Sequence, residues 1–351
     1  MKLRDLGFDD WFMRESKELI GSDYDIARVT TVYRSAYVIR NEEKELSAEL
    51  SGKYRYDSSH QELPVVGDWV GVSYQDGDSP AVIHKVLPRK TFLRRKTPGR
   101  LFNYQMMASN IDVAFIVQSC HYDFNIKRLE RYLVMILEGQ IHPVIILSKT
   151  DLISPDELNE KISEIHGAGM LIPILSLSNE TGEGLNELRD YLEAGKTYCL
   201  MGSSGVGKTT LINRVIGREE YETREVSQSG EGCHTTTQRQ LIVLETGAMI
   251  IDTPGMRELG ITGAIDGLEE SFSDIVELAE ACRFKDCGHN QEPGCAVLKS
   301  LEEGVLSEER YASYQKLRKE SEYRDMNHVD KRQKDRAFGK FVKSAKKGKK
   351  K

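Results

Sequence analysis

The sequence predicts a multi-domain α/β protein, with an N-terminal OB-type β-barrel, a central phosphate-loop α/β domain and a C-terminal helical zinc-binding module. Three observations predict this arrangement. Short β-rich runs crowd residues 26–87, apolar runs alternate with helical patterns over residues 110–251, and three cysteines and a histidine fall within residues 282–295. We place the domains at residues 1–105, 106–264 and 265–351.

Length and composition agree with a folded chain of this kind. The 351 residues suffice for two or three domains at ~150 residues each, and a hydrophobic content of 39% is enough for real cores. No apolar run approaches the ~20 residues of a membrane helix, and the charged N-terminus lacks the apolar core of a signal peptide. We therefore expect a cytoplasmic protein without a membrane partner.

Charge is segregated along the chain. The 49 Lys and Arg residues stand against 55 Asp and Glu residues, a net charge of −6. Residues 332–351 hold ten basic side chains and one acidic one, so this lysine-rich tail carries +9 and residues 1–331 carry −15. The tail predicts an anionic partner that is held by charge and released by salt.

Five β-rich runs within about sixty residues predict a small closed barrel. Gly67 and Gly71 lie on either side of Trp69, where we expect the strands to bend. An OB-type barrel and an SH3-like barrel both fit this count. The predicted strands are residues 27–33, 35–40, 46–50, 68–74 and 81–87.

The middle of the chain alternates strands and helices. Apolar strands at 113–117 and 143–147 enclose a helical face, which is the pattern of a βαβ unit. The helical face consists of Ile126, Leu129, Leu133 and Ile136. Further strands are predicted at 173–177, 198–201, 241–244 and 249–251, and further helices over 185–192, from 207, over 267–278 and over 307–323.

A phosphate loop lies between the strand 198–201 and the helix that follows. It reads Gly202-Ser203-Ser204-Gly205-Val206-Gly207-Lys208-Thr209. Glycines let successive N–H groups turn onto phosphates, and the helix N-terminus adds partial positive charge. We expect Lys208 to neutralise β- and γ-phosphate oxygens, Thr209 to bind Mg²⁺ and Thr210 to contact the nucleotide. An ordinary Gly/Ser turn is the alternative.

The motif Asp252-Thr253-Pro254-Gly255 ends the strand 249–251. The carboxylate of Asp252 can join a Mg²⁺ shell, and the N–H of Gly255 can contact a γ-phosphate. Downstream of a phosphate loop this motif predicts a nucleotide switch. The alternative is a plain turn.

The motif Ser148-Lys149-Thr150-Asp151 ends the strand 143–147. Its Asp151 carboxylate can accept the N1–H and 2-amino hydrogens of guanine, which adenine does not offer, while the stem of Lys149 packs on the base. After the next strand, Ser178-Asn179-Glu180-Thr181-Gly182 is expected to add a backbone contact to the guanine oxygen. Read alone, the Lys-Thr-Asp sequence could also be a turn.

A polar segment, residues 219–232, leads into Cys233-His234-Thr235-Thr236-Thr237. We expect nucleotide to order this segment and Thr236 to complete the Mg²⁺ shell. Thr235 and Thr237 remain alternatives for that role, and an edge strand rich in threonine is the alternative for the whole run.

Cys282, Cys287, His289 and Cys295 supply three sulfurs and one nitrogen within a short segment. Four such ligands with no open position indicate a structural Zn²⁺ site. Large apolar residues are scarce around them, so the metal would replace a core. Free buried thiols are the alternative.

A basic stretch between the barrel and the α/β domain is free of acidic residues. It predicts either a surface that follows an RNA backbone, with aromatic rings stacked on bases, or a solvated linker. Its members are Arg89, Lys90, Phe92, Arg94, Arg95, Lys96, Arg100, Phe102 and Tyr104.

The complete set resembles a translation-factor-class GTPase with its motifs in rotated order, because residues 148–151 and 178–182 precede residues 202–209. With a barrel in front and a Cys/His cluster behind, nearly the whole chain closely resembles the RsgA (YjeQ) family of GTPases that depend on the small ribosomal subunit. The resemblance is carried by Val66-Gly67-Asp68-Trp69-Val70, Lys149, Asp151, Gly202 to Thr209, His234 to Thr237, Asp252 to Gly255 and the cysteine spacing.

The chain departs from the family at Ser148, where the family usually has an asparagine that ties the base-reading loop to the phosphate loop. This departure predicts a somewhat lower guanine affinity. Met256 follows Gly255, where many small GTPases place the glutamine that orients the attacking water, so we expect slow intrinsic hydrolysis. His234 either orients the water or only shapes the switch.

The resemblance implies a circularly permuted GTPase that hydrolyses GTP to GDP and phosphate. It also implies stimulation by the small ribosomal subunit, binding to its rRNA and a role in its late assembly. We expect a monomer. Two other functions remain open: a GTP-sensing RNA-binding module without significant turnover, and a phosphate-loop kinase, which would not need Asp151 to read guanine.

Overall fold

The computed structural model describes ten stretches of the chain, in which two compact units occur, Met1–Gly260 and Ile261–Lys351. The described stretches are residues 1–21, 23–33, 36–59, 61–75, 79–96, 104–121, 124–203, 205–217, 239–252 and 271–325. The predicted domain limits at 105 and 264 stay predictions.

The N-terminal strands close into a barrel. They are β1 (Asp25–Val32), β2 (Tyr37–Arg40), β3 (Glu45–Leu50), β4 (Trp69–Ser73) and β5 (Ala81–Val86), with helix α1 (Asp10–Leu19) before them and α2 (Gly52–Asp57) between β3 and β4. The order β1-β2-β3-β5-β4 is closed because β4 pairs back onto β1. The β4–β5 register shifts at Gly71, the predicted bend. This arrangement confirms the OB-type prediction.

A two-stranded ribbon follows the barrel, β6 (Phe92–Lys96) with β7 (Tyr104–Ser109). The basic stretch predicted to be an RNA surface or a linker is thus partly a β-ribbon. Three of its basic side chains form ion pairs with acidic residues of the same chain. Arg89 binds Asp68, Lys90 binds Asp9 and Arg94 binds Glu138.

The α/β part is a mainly parallel sheet in the order β10-β9-β8-β11-β13-β12, in which only β12 runs antiparallel. Its strands are β8 (Val113–Ser119), β9 (His142–Ser148), β10 (Ile174–Leu177), β11 (Thr197–Met201), β12 (Arg239–Val243) and β13 (Met249–Asp252). Its helices are α3 (Ile126–Glu138), α4 (Pro155–Gly167), α5 (Leu185–Tyr191) and α6 (Lys208–Ile216).

Helices cover both faces of this sheet. Ile116 of β8 points into the same core cluster as Leu133 of α3, whereas its neighbour Phe115 points into the other cluster with Leu188 of α5 and Leu211 of α6. Side chains alternate between the faces of a strand, so near-continuous apolar runs are what a sheet buried on both faces requires. These apolar runs are the reason that the strand positions can be predicted from the sequence.

Arg28 of β1 joins the barrel to the α/β sheet. The residue is 1% exposed, and its guanidinium donates to the carbonyls of Gly67 and Asn110 and to Thr197 Oγ1 at 2.9 Å. Burial lowers the pKa of Arg28 to about 10. In addition, β1 pairs with β12 through Thr31, so the barrel strands and the α/β strands form one continuous sheet.

The second unit contains α7 (Ser273–Glu280), α8 (Ala296–Glu302) and α9 (Glu308–Asp325). Arg310 holds its helices together, donating to the Asp274 carboxylate at 2.8 and 3.1 Å while its guanidinium lies over the Phe272 ring. Within the described stretches no helix is both long enough and apolar enough to cross a membrane. The lysine-rich tail, 332–351, lies outside them.

Asp68, the acidic residue of the Val-Gly-Asp-Trp-Val run, is completely buried. Its carboxylate accepts two hydrogen bonds of 2.8 Å from Arg89, one from the Ser109 hydroxyl and one from the Val65 N–H. A buried carboxylate left without its cation destabilises a protein by ~3–5 kcal/mol. The bonds from Arg89, which precedes β6, and from Ser109 of β7 therefore hold the ribbon against the barrel.

We predict that Arg89→Ala lowers the free energy of unfolding by about 3 kcal/mol, because the buried Asp68 charge loses its partner. Urea unfolding followed by tryptophan fluorescence measures this, since Trp11 and Trp69 both lie in the first unit. The control is Arg14→Ala on the exposed side of α1, which should change stability by less than about 0.5 kcal/mol. Equal stability of the two variants would contradict the prediction.

Candidate functional site

The phosphate loop connects β11 to α6 at the carboxyl edge of the parallel strands. Gly202, Gly205 and Gly207 have φ values of 147°, 79° and 94°, a region that side chains rarely enter. A Cβ on Gly202 would also lie 2.2 Å from the carbonyl oxygen of Val117. These glycines are therefore required by the backbone path of the loop. Ser204 lies outside the described residues.

Lys208 begins α6 and folds back over the loop. Its ammonium donates to the carbonyl of Gly202 at 2.8 Å and to the carbonyl of Ser203. Arg128 of α3 reaches the same loop and donates to the Ser203 hydroxyl. No sequence motif pointed to Arg128, because its contact depends on the packing of α3 against β8 and β9.

Asp252 ends β13 on the same edge. Burial raises the pKa of its carboxyl group, and the positive charge of Lys208 acts in the opposite direction. The Asp252 carboxylate and the hydroxyls of Thr209 and Thr210 on the first turn of α6 are oxygen donors, which suit Mg²⁺. The predicted switch residues His234, Thr235, Thr236, Thr237 and Gly255 lie outside the described residues.

The base-reading motif begins at the end of β9. Ser148 is completely buried, and its hydroxyl donates to the Val206 carbonyl of the phosphate loop at 2.7 Å. Lys149 then turns the chain with φ 61°, and Asp151 lies exposed in the single turn Thr150–Leu152. The serine that departs from the expected asparagine thus still ties the two loops together.

Ser178, at the end of β10, orients Asp151. The Ser178 oxygen accepts from the N–H groups of Glu180 and Thr181 at 3.1 and 3.2 Å, so its one proton is donated to the Asp151 carboxylate. The side-chain amide of Asn179 donates to the Gly207 carbonyl of the phosphate loop at 3.1 Å. The exposed carboxylate of Asp151 is therefore held in one orientation, in which a ligand can donate further hydrogen bonds to it.

Four strand ends therefore bring together those predicted residues that the structure describes, around the phosphate loop with its cation Lys208 and the carboxylate of Asp252. Such an edge can bind a nucleotide, with its phosphates on the loop and its base beside Asp151. The orientation of Asp151 by Ser178 and the contact from Arg128 were not predicted.

The second unit contains a compact Cys/His cluster. Ligand atoms of Cys282, Cys287, His289 and Cys295 all lie within 4.8 Å of one another. The Cys282 and Cys295 sulfurs are 3.8 Å apart, and His289 Nδ1 lies 3.4 Å from the Cys295 sulfur. Tetrahedral zinc with Zn–S bonds of ~2.3 Å has ligand atoms separated by about 3.8 Å, so the donor set and spacing fit this ion.

Comparisons with known proteins agree with these features. Residues 86–262 match the family model of the RsgA GTPase. The chain is 42% identical to "Small ribosomal subunit biogenesis GTPase RsgA 2" of Lactiplantibacillus plantarum, covering 86% of this chain and 85% of that protein. It is 38% identical to "Small ribosomal subunit biogenesis GTPase RsgA" of Opitutus terrae, covering 92% and 90%.

Two solved structures resemble this one along most of their length. The crystal structure of YjeQ from Thermotoga maritima is 28% identical with a TM-score of 0.63, covering 84% of this chain and 98% of that one. The structure of YloQ, described as a circularly permuted GTPase, is 23% identical with a TM-score of 0.62, covering 88% and 99%. The latter supports the fold alone.

Proposed function

The chain belongs to the RsgA GTPase family, and from this premise we propose that it hydrolyses GTP to GDP and phosphate on the small ribosomal subunit during its late assembly. The names of the relatives support the small ribosomal subunit as the partner. One observation carries the proposal for this chain: the exposed Asp151 is oriented by Ser178, and the loop that contains Asp151 is hydrogen-bonded to the phosphate loop through Ser148.

Guanine selection is assigned to the two loops after β9 and β10. Asp151 would accept the base N–H groups, and the hydrogen bond that Ser178 donates to Asp151 supports this role because it holds the carboxylate in one orientation. Adenine would leave the carboxylate unpaired, which is how a site of this kind rejects a wrong base. The proposed base contacts are Ser148, Lys149, Thr150, Asp151, Ser178 and Asn179.

Hydrolysis would be in-line attack of water on the γ-phosphorus. Lys208 and the loop N–H groups from Ser203 to Lys208 would stabilise charge on the transferred group, and the remaining phosphate contacts are assigned to Gly202, Thr209 and Thr210. Bound Mg²⁺ would neutralise phosphate charge, with Thr209, Thr236 and Asp252 as its proposed ligands. Gly255 would sense the γ-phosphate, and His234 would orient the water.

The other assignments rest on the sequence and on the cluster geometry. We assign Zn²⁺ to Cys282, Cys287, His289 and Cys295, with a structural role in the domain proposed at 265–351. The barrel, proposed at 1–105, and the basic tail would contact rRNA. The protein would act in the cytoplasm as a monomer.

The central test is phosphate release from GTP with and without purified small ribosomal subunits, at low and high salt. We expect slow release alone and stimulation of at least about tenfold by the subunits, falling at high salt. Lys208→Ala is the control for background activity. Binding without stimulated release would instead favour a GTP-sensing RNA-binding module.

We predict that Asp151→Asn exchanges guanine for xanthine preference, because an amide can donate to the 2-oxo group of xanthine but cannot accept both guanine donors. GTP affinity should fall by about 10²-fold, and XTP affinity should rise. Competition binding with GTP, XTP and ATP measures this, with the exposed Asp190→Asn as the matched control. Retained GTP selectivity would show that the base lies elsewhere, and equal ATP binding would favour a kinase.

We predict about one zinc ion per chain, lost in Cys287→Ala, because three ligands hold the ion far less tightly than four. Elemental analysis of purified protein measures the content. Cys120→Ala is the control, since that thiol is buried outside the cluster and burial raises its pKa to about 11. Zinc-free wild-type protein, or full zinc content in Cys287→Ala, would refute the assignment.

A further inference from the structure

Both loops that are proposed to read the base are hydrogen-bonded to the phosphate loop by one side chain each. Ser148 donates to the carbonyl of Val206, and Asn179 donates to the next carbonyl, that of Gly207. The two donors come from different strands of the sheet, β9 and β10. The position of the phosphate loop relative to the base-reading loops is therefore set by two adjacent contacts.

The contact made by Asn179 is close enough to constrain the sequence of the phosphate loop. A Cβ at position 207 would lie 2.8 Å from Asn179 Nδ2, and Gly207 already has φ 94°. The glycine is thus needed for the turn and also for the approach of this amide. The same carbonyl accepts the helical N–H of Leu211 at 2.9 Å, so Asn179 binds the first turn of α6.

Only half of the Asn179 amide is satisfied. The residue is 8% exposed, and its Oδ1 has no hydrogen-bond partner among the residues that the structure describes. An unpaired buried acceptor costs free energy, so an amide that served folding alone would be expected to have partners at both ends. Rotating the amide would set Oδ1 against the Gly207 carbonyl, so the bond to Gly207 determines which end remains open.

The Ser148 hydroxyl has one proton to donate, one fewer than the side-chain amide of the asparagine that is usual at this position. Its single proton is spent on carbonyls within the protein, chiefly on Val206. A hydroxyl has one donor, whereas a side-chain amide has two. The amide donor between the base-reading loops and the phosphate loop is supplied in this chain by residue 179.

We propose that Asn179 is a positioning residue for guanine-nucleotide binding, whose amide fixes the loop after β10 on Gly207 and compensates for the serine at position 148. This inference rests on the proposed function, because it presumes that the site binds GDP and GTP. Asn179 acts through the phosphate loop, because its amide contacts the carbonyl of Gly207, and its loss is expected to weaken binding more than it slows the chemical step.

The test is a two-by-two set of variants: wild type, Asn179→Ala, Ser148→Asn and the double variant. Calorimetric titration with GDP should show about tenfold weaker binding for Asn179→Ala, the size of effect expected from about one lost hydrogen bond to a buried group. In the Ser148→Asn background the same change should cost less than about threefold, because the asparagine at 148 supplies the missing donor. The exposed Asn159→Ala is the matched control.

Two further readouts separate positioning from a general loss of structure. In subunit-stimulated phosphate release, KM for GTP should rise with the GDP dissociation constant and by a larger factor than kcat falls. The melting temperature without nucleotide should hardly change, whereas the increase caused by GDP should shrink.

The inference is overturned if Asn179→Ala binds GDP as tightly as wild type, if the loss is equal in both backgrounds, or if kcat falls in proportion to affinity. A variant that melts early yet binds GDP normally when folded also overturns it. Wild-type protein that binds no GDP would instead overturn the proposed function, so the two failures are distinguishable.

Discussion

The parallel register of five strands is the constraint on which the site depends. Ser119 of β8 pairs with Ser148 of β9, which in turn pairs with Leu177 of β10, so the chain leaves three neighbouring strands at the same level. Strands β11 and β13 are paired in the same direction. The loops that follow meet at one edge, whatever their order along the chain. Circular permutation can therefore reconnect the strands at the other edge while the binding edge stays intact.

Circular permutation does change which parts of the chain are connected to the strands of the binding edge. Strand β13, which ends at Asp252, is followed in sequence by the C-terminal unit, and its other neighbour β12 pairs with β1 of the barrel. Arg28 reinforces this continuity, since one guanidinium contacts Thr197 of β11 and Met249 of β13. A buried cation with fixed carbonyl partners tolerates little displacement. The strands that lead into the phosphate loop and into the predicted switch motif are thus rigidly attached to an OB-type barrel, a fold that in other proteins binds nucleic acid.

Local pattern made much of this protein predictable. The barrel strands, the buried parallel strands and the glycines of the phosphate loop each follow from residues adjacent in sequence, and the spacing from Cys282 to Cys295 indicated four ligands that the structure brings together. The contacts that orient the site are of another kind. Ser148 reaches a carbonyl 58 residues away and Asn179 one 28 residues away. Such pairs depend on strand order, which a single sequence with rotated motifs does not reveal.

The basic stretch after the barrel shows that ion pairs between residues distant in sequence are equally hard to predict from the sequence. In sequence it has no acidic neighbour, yet Arg89 and Arg94 are paired with Asp68 and Glu138, which lie 21 and 44 residues away. A guanidinium that compensates a buried carboxylate is not available to neutralise phosphate, because releasing it would leave that charge unpaired. Counterion release requires cations that are free to approach the nucleic-acid backbone. The expectation of a salt-dependent attraction to rRNA therefore shifts away from Arg89 and Arg94 and onto residues 332–351, whose ten basic side chains are accompanied in sequence by a single acid.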